Sequence, residues 1–191
     1  MKSTQLSHQL VSDRLGGGEV VIDATAGNGH DTLFLARQVG PSGTVYCFDV
    51  QEEAIRMTGS RLEEAQVSDR VIMCNTGHEN MDEAISATDW GNVSVVMFNL
   101  GYLPGGDHSI TTLKATTLTA LRKALECLRG GGFLAVICYP GHDEGLEESV
   151  EVLTFLESLN QSQYLTKNYR DSSVPHNAPF LVSVQKRSIE R

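Results

Sequence analysis

Short apolar runs alternate with longer stretches of helical spacing along most of the chain. EVVIDA (19–24) is an apolar run ending in a turn, and GHDTLFLARQVG (29–40) follows it with helical periodicity and a glycine stop. GTVYCFDV (43–50) predicts a second strand, QEEAIRMTGSRLEEAQ (51–66) an amphipathic helix, RVIMCN (70–75) a third strand and ENMDEAIS (79–86) a short helix. VSVVMFN (93–99) predicts strand four. SITTLKATTLTALRKALECLRGG (109–131) then predicts a long helix, capped by Ser109 or Thr111 and stopped by glycine. GGFLAVICYP (131–140) is strand five and EESVEVLTFLESLN (147–160) another helix. YLTKNYRD (164–171) and PFLVSVQKR (179–187) close the pattern as two strands around SSVPHNA.

Apolar strands separated by helices predict an α/β fold, a Rossmann-like, doubly wound and mostly parallel sheet of seven strands. The last two strands have no helix between them and predict an antiparallel hairpin at the C-terminal edge. No linker or repeat divides residues 1–191, so one domain is expected. In such sheets ligands sit beyond the C-terminal strand ends, where strand order reverses. That rule selects the loops 24–31, 49–52, 75–80 and 99–108.

Composition narrows the classes. A hydrophobic share of 40% and a charged share of 20% suit a folded globular chain. No apolar run approaches the roughly 20 residues that span a bilayer, and MKSTQLSHQLVSDRLGGG lacks the apolar core of a signal peptide. A cytoplasmic location without membrane contact is the expectation. The four cysteines (Cys47, Cys74, Cys127, Cys138) lie in apolar runs with no paired spacing, so they read as small buried hydrophobes. No metal-ligand spacing occurs and no metal is expected. The formal net charge of −9 argues against broad attraction to nucleic acid. The charge is uneven, with 6 Lys and Arg against 14 Asp and Glu in residues 1–100, and 9 against 10 in residues 101–191. A polyanion would therefore meet the C-terminal half.

Chemistry concentrates in the four loops. Asp23 ends strand one and precedes Gly27-Asn28-Gly29 and a helix beginning near His30 and Asp31. Glycines there allow a tight turn and close ligand approach, and the helix start offers free N–H groups. A dinucleotide fingerprint would need a third glycine where Thr32 stands. Asp23 would also repel a nearby pyrophosphate, so a nicotinamide-dependent oxidoreductase is disfavoured and a ligand carrying positive charge is favoured. Asp49 ends strand two, where a carboxylate can accept from both ribose hydroxyls. Both acids could instead only cap the helices that follow them.

D-x-x-x-G-x-G after strand one, with an acid ending strand two, resembles the class I S-adenosylmethionine-dependent methyltransferases. The resemblance implies that Asp23 and the Gly27–Gly29 backbone hold the methionine end, with Asn28, His30 and Asp31 lining the cradle. It further implies Asp49 and Gln51 at the ribose, and His78 and Glu79 at the adenine. In this fold the loop after strand four faces the transferable methyl group. Many amino-group methyltransferases carry [DN]-P-P-[YF] there, and this chain has Asn99-Leu100-Gly101-Tyr102. The amide and the aromatic remain and both prolines are gone, which turns attention from a ring amino group to an alkylamine.

DATAGNGHDTLFLA together with FNLGYLPGGDHSITT is similar to a small bacterial family labelled rRNA methylases. Its members methylate a tRNA wobble uridine, converting the 5-aminomethyl-2-thio form to the 5-methylaminomethyl form. The resemblance implies an S-adenosylmethionine cofactor and a tRNA anticodon loop as partner. Asn99 and the Leu100 carbonyl would orient the amine, with Gly101 beside the cofactor and Tyr102 packed on the base or the cofactor. Asp107 or His108 could take the proton, or could merely begin the following helix. Tyr139, His142, His176 and Asn177 are candidates for holding the splayed base, and Lys167 and Arg170 for phosphates. The amphipathic helices also allow a homodimer. Two other readings stay open: an rRNA or small-amine methyltransferase, and a nucleotide-sensing module without catalysis.

Overall fold

The computed structural model describes residues 1–101, 112–170, 173 and 175–188. Seven strands form one sheet: β1 (Val20–Asp23), β2 (Thr44–Phe48), β3 (Val71–Cys74), β4 (Val93–Asn99), β5 (Leu128–Cys138), β6 (Tyr164–Asn168) and β7 (Phe180–Lys186). Their order is β3-β2-β1-β4-β5-β7-β6. The chain moves outward from β1 to β3, then crosses back to β4 on the other side of β1. The order therefore reverses between β1 and β4, which is where such a sheet opens a crevice. The expected terminal hairpin is present: β7 is antiparallel both to β5 and to β6, and it lies between them.

Residues alternate between the two faces of the sheet, as the strand period of two requires. Ile22, Phe48, Phe98 and Leu134 point to the face covered by α5 (Lys114–Cys127) and α6 (Asp143–Glu157), where Leu121 and Leu156 complete the cluster. Val21, Val45, Met97 and Ile137 point to the other face. There they meet α2 (His30–Val39) and α3 (Glu52–Glu64) through Leu35, Val39 and Leu62. Each such side chain taken fully from water contributes about 1.5–3 kcal/mol. The strands thus read as near-continuous apolar runs because helices cover both sides. Three of the four cysteines follow the expectation: Cys47, Cys127 and Cys138 are buried free thiols, and burial pushes the latter two up to about 12, whereas Cys74 on edge strand β3 is only half-buried.

Three elements differ from the sequence reading. A helix the pattern did not predict, α1 (Ser3–Ser12), packs Leu6, Leu10 and Val11 against the sheet. Its first turn is tied to the start of β7, where the Ser3 hydroxyl donates to the Pro179 carbonyl at 2.9 Å. Second, α5 starts at Lys114 with no side-chain cap and stops at Cys127 rather than at the glycines. The ammonium of Lys186 donates to the carbonyls of Leu125 at 2.8 Å and Leu128 at 2.7 Å, satisfying the open helix end. The Gly130–Gly132 run instead lies inside β5, beside the register shift between Val93 and Val95. Third, α6 begins at Asp143, where the His142 ring accepts from the Gly145 N–H at 3.1 Å. The proposed caps Ser109 and Thr111 lie outside the described residues. A final short helix, α4 (Met81–Ala84), follows a 3-10 turn over His78–Asn80.

Candidate active site

The C-terminal ends of β1, β2, β4 and β5 open onto a cleft of about 1190 Å³, large for a single small-molecule site. Its walls are the four loops the topology selects, together with α1 and the segment before β7. Among the described residues no Lys or Arg lines it, whereas Asp31, Asp49 and Glu79 do. Negative field lines are focused there, which favours a cationic occupant.

The first loop is held from behind. Thr58 on α3 donates its hydroxyl to the Gly27 carbonyl at 3.2 Å, and Arg61 donates to the Asn28 carbonyl at 2.7 Å. The loop's own N–H groups close it further: Gly29 donates to the Ala26 carbonyl at 2.8 Å and Ala26 to the Phe48 carbonyl at 2.9 Å. Gly27 and Gly29 have left-handed backbone, with φ of 52° and 75°. A Cβ on Gly29 would stand 2.8 Å from the Thr58 Cα, so this cradle requires glycine there for two reasons. Gly27, Asn28, His30 and Asp31 line the cleft, whereas Gly29 forms its support as the cap of α2.

Asp49 joins the first loop to the second. One carboxylate oxygen accepts from the Gly27 N–H and the other from the Gln51 N–H, each at 2.9 Å. Each oxygen keeps a lone pair for a further donor, and both Asp49 and Gln51 face the cleft. From the third loop His78 and Glu79 also reach it. The His78 ring is buried, meets the Ala24 carbonyl at 3.1 Å through Nδ1 and tilts against Phe98. Burial lowers its pKa, keeping the imidazole neutral and apolar at this wall.

Asp23 is placed differently from the sequence expectation. It is 1% exposed and lies beneath the cleft, not on its wall. Its carboxylate accepts from the Thr25 N–H at 3.1 Å and the Thr32 hydroxyl at 2.6 Å, tying β1 to the first turn of α2. Burial above all, then the nearby Asp31, push its pKa up to about 7. Of the two acids that flank the first loop, Asp31 is the one that faces the cleft.

Asp31 bridges three elements. Oδ1 meets His8 Nε2 of α1 at 2.6 Å, and Oδ2 accepts from the Asn99 side-chain amide at 3.3 Å. The His8 ring stacks flat on Phe34 with centroids 3.9 Å apart. Asn99 is further fixed by its N–H, which donates to the Thr25 hydroxyl at 2.7 Å. With its nitrogen committed to Asp31, the Asn99 amide leaves Oδ1 buried and without a partner in the described structure. A buried unpaired acceptor costs about 1–3 kcal/mol, a cost that a donor entering the cleft would relieve.

Leu100, Gly101, Tyr139, His142 and Asn177 line the same cleft, as expected of them. His176 does not; it is exposed, and Arg170 is committed to its carbonyl and to the Phe180 ring. Tyr102, Asp107 and His108 lie outside the described residues. Burial raises the Tyr139 phenol, an effect offset in part by the Thr4 side chain. Sequence reasoning missed Thr4 and His8 of α1, and the clasp beside Gly101. In that clasp the Gly101 N–H donates to the Thr112 hydroxyl at 2.9 Å, and the hydroxyl donates on to buried Glu148 at 2.7 Å.

Comparison with known proteins agrees with this geometry. Residues 45–185 match the family model described as "Putative rRNA methylase". The chain belongs to that family. A chloroplastic tRNA (mnm(5)s(2)U34)-methyltransferase of Arabidopsis thaliana is 39% identical over 97% of this chain and 70% of its own length. An rRNA-methylase crystal structure from Clostridium thermocellum superposes with a TM-score of 0.93 at 42% identity, over 97% of this chain and 98% of that one. A Streptococcus mutans methyltransferase solved with SAH gives 0.86 at 35% identity, over the same shares of 97% and 98%. The protein is thus an S-adenosylmethionine-dependent methyltransferase with a Rossmann-like sheet. The residues present suit that cofactor: a glycine cradle backed by α3, a two-oxygen acceptor at Asp49, and acids in place of cations. No described helix of this methyltransferase is long and apolar enough to cross a membrane.

Proposed function

We propose that this methyltransferase converts the 5-aminomethyl group of a tRNA wobble uridine, with or without the 2-thio group, to 5-methylaminomethyl. The observation that carries the reading is the orphaned Oδ1 of Asn99, oriented by Asp31 at the edge of a cleft that no described Lys or Arg lines. An amine needs an acceptor to aim its N–H bonds, and a ring carbon or a hydroxylate does not. The Arabidopsis relative's name supports this class of substrate.

The residues divide the work. Asp49 and Gln51 hold the ribose of the cofactor, His78 and Glu79 the adenine side, and the Gly27–Gly29 backbone with Asn28 and His30 the methionine end, while Asp31 stands between that end and Asn99. Bound S-adenosylmethionine supplies a methyl group activated on a cationic sulfur. Asn99 and the Leu100 carbonyl orient the incoming nitrogen, and such positioning is worth up to about 7–11 kcal/mol when well aligned. Tyr139, His142 and Asn177 hold the base at the outer wall. The anticodon loop brings its own unstacked bases, so a chain of net charge −9 can recognise it without a broad basic surface. We place the reaction in the cytoplasm.

The test supplies labelled S-adenosylmethionine with tRNA carrying or lacking 5-aminomethyluridine, followed by digestion to nucleosides. Label is expected only in the modified nucleoside from the first tRNA. Label in rRNA or in a free small amine, with none in either tRNA, would transfer the assignment to those substrates. Asn99→Ala should retain cofactor binding by calorimetry and lose turnover by about 10²-fold or more; normal turnover would remove the role of Asn99.

A further inference from the structure

The arrangement around Asp31 carries an assignment beyond cofactor and substrate class, and it rests on the amine reading above. At neutral pH an alkylamine is an ammonium without a lone pair, and a cleft lined by carboxylates holds it in that form. Something must remove a proton before the nitrogen can attack. We infer that the Asp31 carboxylate is this acceptor and that His8 of α1 is the residue that positions it.

The geometry argues as follows. Asn99 holds Nδ2 against Asp31 and leaves Oδ1 without a partner, so a nitrogen bound by that oxygen would lie next to the carboxylate that orients the same amide. Asp31 is buried at 6% exposure yet lines the cleft, as a base shielded from bulk water must. Its Oδ1 is held by His8 at 2.6 Å. That ring is itself fixed by stacking on Phe34, three residues after Asp31 on α2. The position of α1 is set in turn by the Ser3 contact to Pro179. Each carboxylate oxygen still has a free lone pair.

The groups facing Asp31 are His8 from α1, Asp23 from β1 below, Asn99 from β4, Tyr139 at the end of β5, and its own neighbour His30. Asp23 lies beneath the cleft with its oxygens taken by the Thr25 N–H and the Thr32 hydroxyl, so it stands outside the path of the proton. In the step, one N–H bond of the ammonium breaks and an O–H bond forms on Asp31. The electron pair left on nitrogen is the nucleophile. The nitrogen–methyl bond forms as the methyl–sulfur bond of S-adenosylmethionine breaks, leaving neutral S-adenosylhomocysteine and a positive charge on the nitrogen; Asp31 returns its proton to solvent when product leaves, so one proton is released per turnover.

Asp31→Asn keeps the shape and removes the base. It is expected to lower kcat/KM on 5-aminomethyluridine tRNA by about 10²–10⁴-fold near pH 7. The deficit should shrink as pH rises, by up to about tenfold per pH unit, because free amine in solution then replaces the lost base. Affinity for S-adenosylhomocysteine, read by calorimetry, should change by less than about tenfold. His8→Leu should lose about tenfold with an unchanged thermal melt, and His8→Gln, which keeps a side-chain N–H for Oδ1, should recover most of that loss. A deficit in Asp31→Asn that is constant with pH would overturn the assignment. So would a collapse of S-adenosylhomocysteine affinity, which would make Asp31 a cofactor ligand only. Equal loss in His8→Leu and His8→Gln would remove His8 from the arrangement. If the unaltered protein transfers no methyl to any amine, the reading of the reaction fails first, and that result is visible before any variant is made.

Discussion

Asp23 offers a test of the internal electrostatics that does not depend on the reaction. Its carboxyl is buried under the cleft and pushed up to about 7 from an ordinary 3.8. The unfolded chain therefore releases this proton near pH 4, while the folded chain keeps it to near pH 7. Between those limits the folded state binds more protons, so this group makes stability fall as pH rises, and the loss is complete above about pH 7. The gap between the two values, at about 1.36 kcal/mol per pH unit, sets a ceiling of ~4 kcal/mol, of which half, ~2 kcal/mol, is the expected effect. Asp23→Asn removes the titration and keeps the shape and the Thr32 contact. The difference in stability, variant minus unaltered protein, should move in favour of Asn by about 2 kcal/mol from pH 4.5 to pH 8. For a domain of this size that is about 4–8 °C in Tm. Differential scanning fluorimetry or circular dichroism melts across that range measure it. Curves that stay parallel would refute the reasoning, since an ionised Asp23 at all pH values leaves nothing to titrate.

Other residues give sharper local tests. Gly29→Ala forces a Cβ against Thr58 in a left-handed conformation. It should cost about 1–3 kcal/mol, and calorimetry should show at least tenfold weaker S-adenosylhomocysteine binding. Asp49→Ala removes the acceptor shared by the Gly27 and Gln51 N–H groups. It should weaken the same ligand by about 10–100-fold, because charge-assisted bonds of this kind carry about 1.5–3 kcal/mol. Thr112→Val leaves buried Glu148 short of one donor and the Gly101 N–H unpaired. Urea denaturation should show a loss of about 1–3 kcal/mol, with a larger effect on KM for tRNA than on cofactor affinity.

The sheet was legible because its five inner strands are buried on both faces, so each reads as an apolar run that no helix period explains. The position of the cleft followed from topology alone. The features that escaped depend on contacts between distant segments. STQLSHQLVS has apolar residues at Leu6 and Leu10 in helical spacing, a signal too short to separate from a leading tail. Nothing in the sequence marks His8 as the partner of Asp31, since 23 positions separate them. The end of α5 was misplaced because a lysine from β7 caps it, where local chemistry suggested glycine.

Asp23 and Asp31 show the same limit at the level of the site. Both are acids flanking one glycine loop, and sequence favoured the acid that ends the strand. The structure separates them by burial: Thr32 and the Thr25 N–H consume Asp23 inside the fold, while α1 and β4 turn Asp31 to the cleft. Desolvation is the largest cause of the rise at Asp23, with the nearby Asp31 second. Of the two, Asp31 is the carboxylate that a cation entering the cleft would meet. A fold that pushes the two acids apart in this way prepares one carboxylate to work beside Asn99, and it does so with residues whose only sequence signature is their place around a glycine turn.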